Sequence, residues 1–464
     1  MRFIKYTFLL LAGITALCSC RKYVEITPKG KIIPTEVRDY RLLMNNTTLL
    51  LPTMGTNEYG TDDLSFAPSD VYLTVISDVI QRLYNWADFI YADGATDPEW
   101  NRMYSQIYVA NTVITGAPTA TNGSTTDKNQ VWGEALVLRA NNYLYLVNQY
   151  AKMYDPATAA TDAGVPLVLQ PDLNASLVRV PVKQVYDQII SDLQTAVPLL
   201  QDSSVNNKYY ASKAAAYSLM ARAYLYMGDY TNALTNAQNA LAINKTIFDL
   251  NTIANNPENT LLNSVNPEII YWKNAGNAYA NMIFSDEFLG IFQTGDLRRK
   301  LWMIDANILF PTWAGVTYNG ENNYNATTKK VKSMTRNVGP TVPEMMLVQA
   351  ECLARTGKYN DAINVINALR TKRILAANYS PLTNIPDAQV LSTVLEERRR
   401  ELFCRGIRWF DLRRLNKEAA FKKTIVHTWS NGTTNSLEPG SNRYLYPIPP
   451  VVLALSTEIT PNPR

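Results

Sequence analysis

Seven arginines crowd the twenty positions 396–415, "EERRRELFCRGIRWFDLRRL", of a chain whose formal net charge is only +4. A guanidinium can grip a phosphate, contact a nucleic acid, or meet a carboxylate bidentately inside a fold, and it stays charged in all three settings. Laid on a helix, the run is not uniformly basic. Glu396 and Glu397 precede Arg400 by four and three positions, and Arg398 precedes Glu401 by three; such pairs support a helix. Leu395, Leu402, Phe403 and Ile407 form an apolar strip that must dock on something. Gly406 permits a break, after which "IRWFDLRRL" restarts as a second short helix with Asp411 in its first part. A nucleic-acid surface needs a one-sided basic face interleaved with exposed aromatics. Here acids are mixed in and the aromatics fall on the apolar side, so ion pairing within the fold is favoured over phosphate or nucleic-acid contact.

Other reactive residue types are sparse. The single histidine, His427 in "TIVHTWSNGTT", would have to serve any Ser-His-Asp triad, and no nucleophile elbow accompanies it. It reads as a loop histidine, placed at a binding face if it has a role. One histidine and the two cysteines beyond residue 20, Cys352 and Cys404, are too few for a zinc site of His and Cys. There is no Walker A run and no GxGxxG opening a helix. The adjacent acids of "TDD" (61–63) and "SDE" (285–287) are the evident carboxylate pairs for glycoside hydrolysis, but read more simply as turn residues or partners of sugar hydroxyls. "DPEWN" (97–101) has the form of a helix start, with Asp97 as cap and Pro98 in the first turn. Asp- and Asn-bearing loops have the chemistry for calcium, without any EF-hand spacing. The expectation is a protein with no catalytic residue, no cofactor and no metal.

The elements that would position a site are mainly helical. Apolar residues recur at helical spacing in 98–114, 129–154 and 181–200. Two later stretches resemble each other: "AAAYSLMARAYLYMGDYTNALTNAQNALAI" (214–243) and "PEMMLVQAECLARTGKYNDAINVINALRTK" (343–372). Each is a helix with small residues, a Gly-x-Tyr turn and a second helix, which is the logic of a tetratricopeptide pair. Gly228 and Gly357 lie far apart, so the fold class expected is mainly α: a tetratricopeptide-like α-solenoid scaffold (about 98–245 and 341–420) with long irregular insertions (about 50–97, 246–340 and 421–447). The tail "YLYPIPPVVLALSTEITPNPR" is proline-bounded and expected to run extended along the core.

The first residues, "MRFIKYTFLLLAGITALCSC", combine a basic start, a short apolar run and "LCSC". That is a secretory leader with the form of a bacterial lipobox, cleaved after residue 19 and leaving Cys20 to carry lipid. Cys352 and Cys404 then remain, read as small buried side chains, with a mutual disulfide as the alternative.

"ERRRELFCRGIRWFDLRRL", the lipobox, "EYGTDDLSF", "EWNRMYSQIYVAN", "GEALVLRANNYLYLVNQYA", the two helix pairs and the tail together resemble, in order, the SusD/RagB family of lipid-anchored outer-membrane nutrient-binding proteins. Two places depart from the family pattern: Arg405 stands where glutamate is usual, and no acid stands at 451–453. The resemblance implies one SusD/RagB-like domain over 20–464, a helical scaffold beside a loop-rich glycan-binding face, and no enzymatic activity. It also implies a SusC-like TonB-dependent transporter as partner at the cell surface.

A pyranose offers a C–H face to an aromatic plane and a rim of hydroxyls to Asn, Asp, Gln, Arg or Lys. By loop membership and side-chain type, the candidates under that resemblance are Tyr59, Tyr72, Trp86, Tyr279, Trp302, Trp313, Tyr318 and Trp429, with Asn277, Asn281 and Asn323 as polar partners. Trp100, Trp132 and Trp409 lie in helical patterns and are assigned to the core, whereas Trp272 in a strand-like stretch goes either way. Two readings compete with glycan capture: a peptide-binding member of the same family, and a helical scaffold for protein assembly.

Overall fold

The computed structural model describes residues 33–68, 76–204, 207–256, 260–261, 263–275, 282–309, 311–319, 322–325, 330–333 and 336–464. Its scaffold starts where the sequence supplies a cap. The Asp97 carboxylate accepts from the backbone N–H groups of Glu99 and Trp100, and Pro98 opens α1 (Pro98–Gly116). A capping box between Ser124 and Asp127 starts α2 (Thr125–Tyr150), whose residues from Gly133 to Tyr150 are buried without a break. Helices α3 (Val182–Ala196), α4 (Lys213–Met227) and α5 (Tyr230–Ile243) follow. Gly228 closes α4 at φ +80°, a left-handed conformation that glycine adopts without strain, and Asp229 caps α5.

Each helix from α1 to α5 packs on its successor. Helix α5 then packs directly on α6 (Val342–Arg355), although the long second insertion separates them in sequence. Helix α6 in turn meets α7 (Tyr359–Arg370) and α8 (Asp387–Glu401), and α9 (Arg408–Leu415) follows after Gly406, which sits at φ +68°. The insertion is therefore extruded from a continuous helical array, the tetratricopeptide-like arrangement expected. Strands contribute little: among the described residues they form four two-stranded antiparallel ribbons and no barrel.

Buried forks of charge fasten helix to helix. Arg139 meets Asp192 between α2 and α3 at 2.7 and 2.8 Å, and Arg222 meets Glu344 between α4 and α6 with both bonds at 2.7 Å. The arginine run extends this pattern. Arg414 pairs with Glu351 of α6 and with Asp411, Arg398 donates to Asp411, and Arg400 pairs with Glu396 and Glu397. Arg413 donates to the carbonyls of Asn148 and Ala151, satisfying acceptors that the end of α2 leaves open. Arg405 donates to the Asn337 carbonyl. One expected pair is not made: Glu401 turns away from Arg398 and accepts from Arg298 and Arg373, because those guanidinium groups reach it from outside its own helix.

The tail differs from expectation in one respect. Pro450–Leu455 is a short helix started by proline, while Tyr446, Ile448 and Ile459 around it are buried. Asn462 ties the end down through the carbonyls of Tyr150 and Tyr446. Cys352 and Cys404 are buried free thiols, so the disulfide alternative falls. No helix among the described residues is long and apolar enough to cross a membrane; the leader and Cys20 lie outside those residues.

Candidate functional site

Backbone pairing joins parts of the three insertions along one seam. The Ser65 N–H donates to the Ile283 carbonyl, and the Phe284 N–H donates to Val316. Isolated bridges join Leu64 to Phe284, Ile283 to Thr317 and Phe66 to Trp429. Residues 64–66, 283–284, 316–317 and the hairpin after residue 424, here called the roots of the insertions, are thus stitched together by backbone. Strand β1 (Met303–Asp305) pairs with β2 (Val316–Tyr318), and β3 (Ile425–Thr428) with β4 (Thr434–Leu437), to extend this seam.

Beneath the roots lie two nests of rings. In the first, His427 is stacked between Tyr84 at 3.9 Å and Trp86 at 4.3 Å, and Phe66 and Trp429 close around Tyr84. The Tyr84 hydroxyl accepts from the Phe66 N–H and donates to the Thr428 carbonyl, tying the first insertion to the hairpin. His427 Nδ1 lies 2.7 Å from the Tyr84 carbonyl and Nε2 lies 2.8 Å from that of Thr61. Burial pushes the imidazole pKa down to about 4, against the pull of both carbonyls and of Asp62, so the ring is neutral near pH 7. Trp86 holds a left-handed φ of +51°, uncommon for a bulky side chain, and its indole N–H donates to the Gly60 carbonyl. In the second nest Phe284, Phe288, Phe292, Trp302 and Tyr318 surround Phe403, with the Arg336 guanidinium 4.2 Å over the Phe403 ring.

Charge bolts this face to α8 and α9. Arg408 forks onto Asp62 at 2.8 and 2.7 Å, and Arg399 contacts Asp62, Asp63 and Glu287. Lys423 joins Asp62 and Glu287. Burial disfavours the Asp62 charge, but Arg408 and Arg399 outweigh it and hold the carboxyl well below its ordinary range. Asp62 and Asp63 of "TDD" and Glu287 of "SDE" are thereby engaged in ion pairs within the molecule, and Ser285 is a helix cap.

Two open clefts stand out by volume among the described residues. One, of about 700 Å³, lies between α1, the loop 168–177 and Val452, with Tyr108 on its rim and a mostly aliphatic lining. The other, of about 510 Å³, lies in the second insertion, between Gln293–Lys300 and Met303–Ile308.

Residues 22–225 match the family described as "Starch-binding associating with outer membrane", and residues 247–464 match the "SusD family". The chain belongs to the SusD/RagB family. SusD-like protein P38 of Formosa agariphila is 23% identical, with 89% of this chain and 92% of that protein aligned. A putative sugar-binding protein from Bacteroides vulgatus superposes with a TM-score of 0.74 at 20% identity, covering 93% of this chain and 99% of its own. A laminarin-binding SusD-like protein superposes with a TM-score of 0.68 at 19% identity, covering 93% of this chain and 99% of its own. These structural likenesses establish the fold.

Within this SusD/RagB frame the expected ligand residues separate into two sets. Tyr59, Trp86, Trp302, Trp313, Tyr318 and Trp429 are all buried, and so present no open ring plane to a sugar in this conformation. Four of them, Trp86, Trp429, Trp302 and Tyr318, belong to the two nests just described and Tyr59 packs beside Phe66, because an aromatic at the root of an irregular segment is the apolar surface with which that segment is anchored. Tyr72, Asn277, Tyr279 and Asn281 lie outside the described residues; Asn323 is in the strand Asn322–Asn325, and its side chain is not among those described. His427 is likewise no surface residue. Trp100 and Trp409 are core, Trp132 packs partly buried against it, and Trp272 is half-buried without strand pairing. Sequence reading missed Asn85, whose side-chain oxygen accepts from the Trp429 indole and the Asn435 amide. Its place beside Trp86 in "YNWAD" was the available signal.

Proposed function

We propose that this protein captures an oligosaccharide on the face built over the stitched roots and delivers it to a SusC-like TonB-dependent transporter, held to the outer membrane through lipid on Cys20. The observation that carries the reading is the convergence of the roots. A ring-packed base beneath backbone-joined insertions supports a shallow, wet saccharide site, for which Tyr72, Asn277, Tyr279, Asn281 and Asn323 are the proposed ligand partners. The laminarin-binding relative supports the ligand class. Calorimetry against a glycan panel tests it: the wild type should bind at least one oligosaccharide, and Tyr279→Ala or Tyr72→Ala should weaken that binding about tenfold, as expected for a lost stacking plane. Absence of heat with every glycan overturns the reading. Peptide capture is the second reading, favoured by the mostly aliphatic lining of the 700 Å³ cleft.

A further inference from the structure

Arg298 and Arg299 are neighbours in opposite circumstances. Arg298 is fully buried and donates to Asp296, Glu397 and Glu401. Arg299 is half-buried and donates to no acceptor among the described residues, and the exposed Lys300 beside it is equally unengaged. In a chain that commits its arginines so consistently to carboxylates and carbonyls, an idle guanidinium and ammonium side by side are conspicuous. Both line the open cleft of about 510 Å³ in the second insertion.

The rest of that cleft fits one kind of ligand. Gln293 gives its side-chain oxygen to Arg370, which leaves its amide N–H groups for an outside acceptor. Asp305 is exposed and lines the cleft without an ion pair among the described residues, so it can accept from a hydroxyl. Ile304 and Ile308 supply an aliphatic strip able to cover the C–H face of a sugar ring, and Ile308 is 47% exposed. Asp296 also lines the cleft but is answered by Arg298, so two idle cations share it with one unpaired carboxylate among the described residues, and the balance favours an anion. The cleft floor is firm: the Leu297 N–H donates to Arg373 and the Leu375 N–H to Gly295, which fixes this corner of the insertion to the end of α7.

We infer that this cleft binds an acidic saccharide unit, with Arg299 and Lys300 on its carboxylate or sulfate and Gln293 and Asp305 on its hydroxyls. The inference rests on the glycan reading above and narrows it to anionic glycans at a second place on the protein. The charge-assisted contacts made by a planar guanidinium are the strong ones.

The test is calorimetry on the full chain with three oligosaccharides of one backbone: uronate-bearing, sulfated and neutral. The two acidic arms distinguish carboxylate from sulfate. At least one acidic sugar should bind more tightly than the neutral one, and its affinity should fall as salt is raised. The acid-over-neutral preference should drop about tenfold in Arg299→Gln and further in the double variant with Lys300→Gln. Thermal unfolding of both variants should match wild type, since neither side chain leaves a partner stranded. If the double variant keeps the full acidic preference, or if neutral sugars bind and acidic ones do not, the inference is overturned while the glycan reading stands. If no glycan binds the wild type, both fall.

Discussion

The seam joining α6, α8 and α9 and the histidine nest beneath the insertions are equally buried but built on opposite principles. The seam is made of ions. Burial opposes charge on Asp411, yet Arg398 and Arg414 outweigh it and hold the carboxyl at about 2, and Arg373 and Arg298 do the same in kind for Glu401. The nest is made of neutral groups. Burial leaves His427 uncharged, and in the adjoining turn Thr56–Gly60, whose Gly60 carbonyl takes the Trp86 indole, burial together with Asp63 raises Glu58 to about 8, where its carboxyl accepts from the Gly406 N–H as a neutral acid. Paired ions demand one geometry, which suits helices that must dock in a single register. Rings and neutral hydrogen bonds tolerate small shifts, which suits the base of a surface that accommodates a ligand.

The largest expected effect breaks the seam. Glu401→Gln weakens the buried charge-assisted bonds to both Arg298 and Arg373, which keep Asp296, Glu397 and Glu268, and urea unfolding should show a loss of about 3 to 5 kcal/mol, the sum of two such contacts. The next sharpens the contrast in pH. Glu58 titrates at about 8 when folded against an ordinary 4.5, so the unfolded chain releases its proton first and stability falls as pH rises between those values. His427 does the reverse: its folded value of about 4 lies below 6.5, so stability falls as pH drops from 6.5 towards 4. Asp411 contributes stability above 3.8 that is lost only as pH falls through 2. Glu58→Gln, followed by denaturant unfolding across pH, should remove the alkaline loss and leave the variant more stable at pH 8 by roughly 2 to 4 kcal/mol. An unchanged pH profile would mean that the nest is charged after all. The smallest effect probes the contact between the two regions. A Cβ on Gly60 would lie 2.8 Å from the Trp409 ring of α9, so Gly60→Ala should cost about 1 to 2 kcal/mol in the same assay.

Local rules carried much of the scaffold. Asp97 as a cap, Gly228 and Gly357 as helix ends, Gly406 as a break and the paired carboxylates of the arginine run all follow from spacing within a few residues. Partners far apart in sequence were not readable. The distance from Asp62 to Arg408, or from Arg222 to Glu344, is set by how helices stack, and no local pattern encodes it. The same limit explains Glu401, whose nearest partner on its own helix lost to two guanidinium groups arriving from elsewhere. Six of the aromatic candidates are buried for a related reason. Residue type and loop membership say that Trp86 or Trp429 has a large apolar surface, but not whether it turns towards solvent or down into the fold.

The stitching of the roots is done by main-chain groups at Ser65, Ile283, Phe284 and Val316, whose hydrogen bonds do not depend on which side chains follow. Everything beyond such a hem can be exchanged, lengthened or shortened as a cassette while the weave below it holds. A single frame of this kind can therefore be refitted for a new cargo by rewriting a few short stretches.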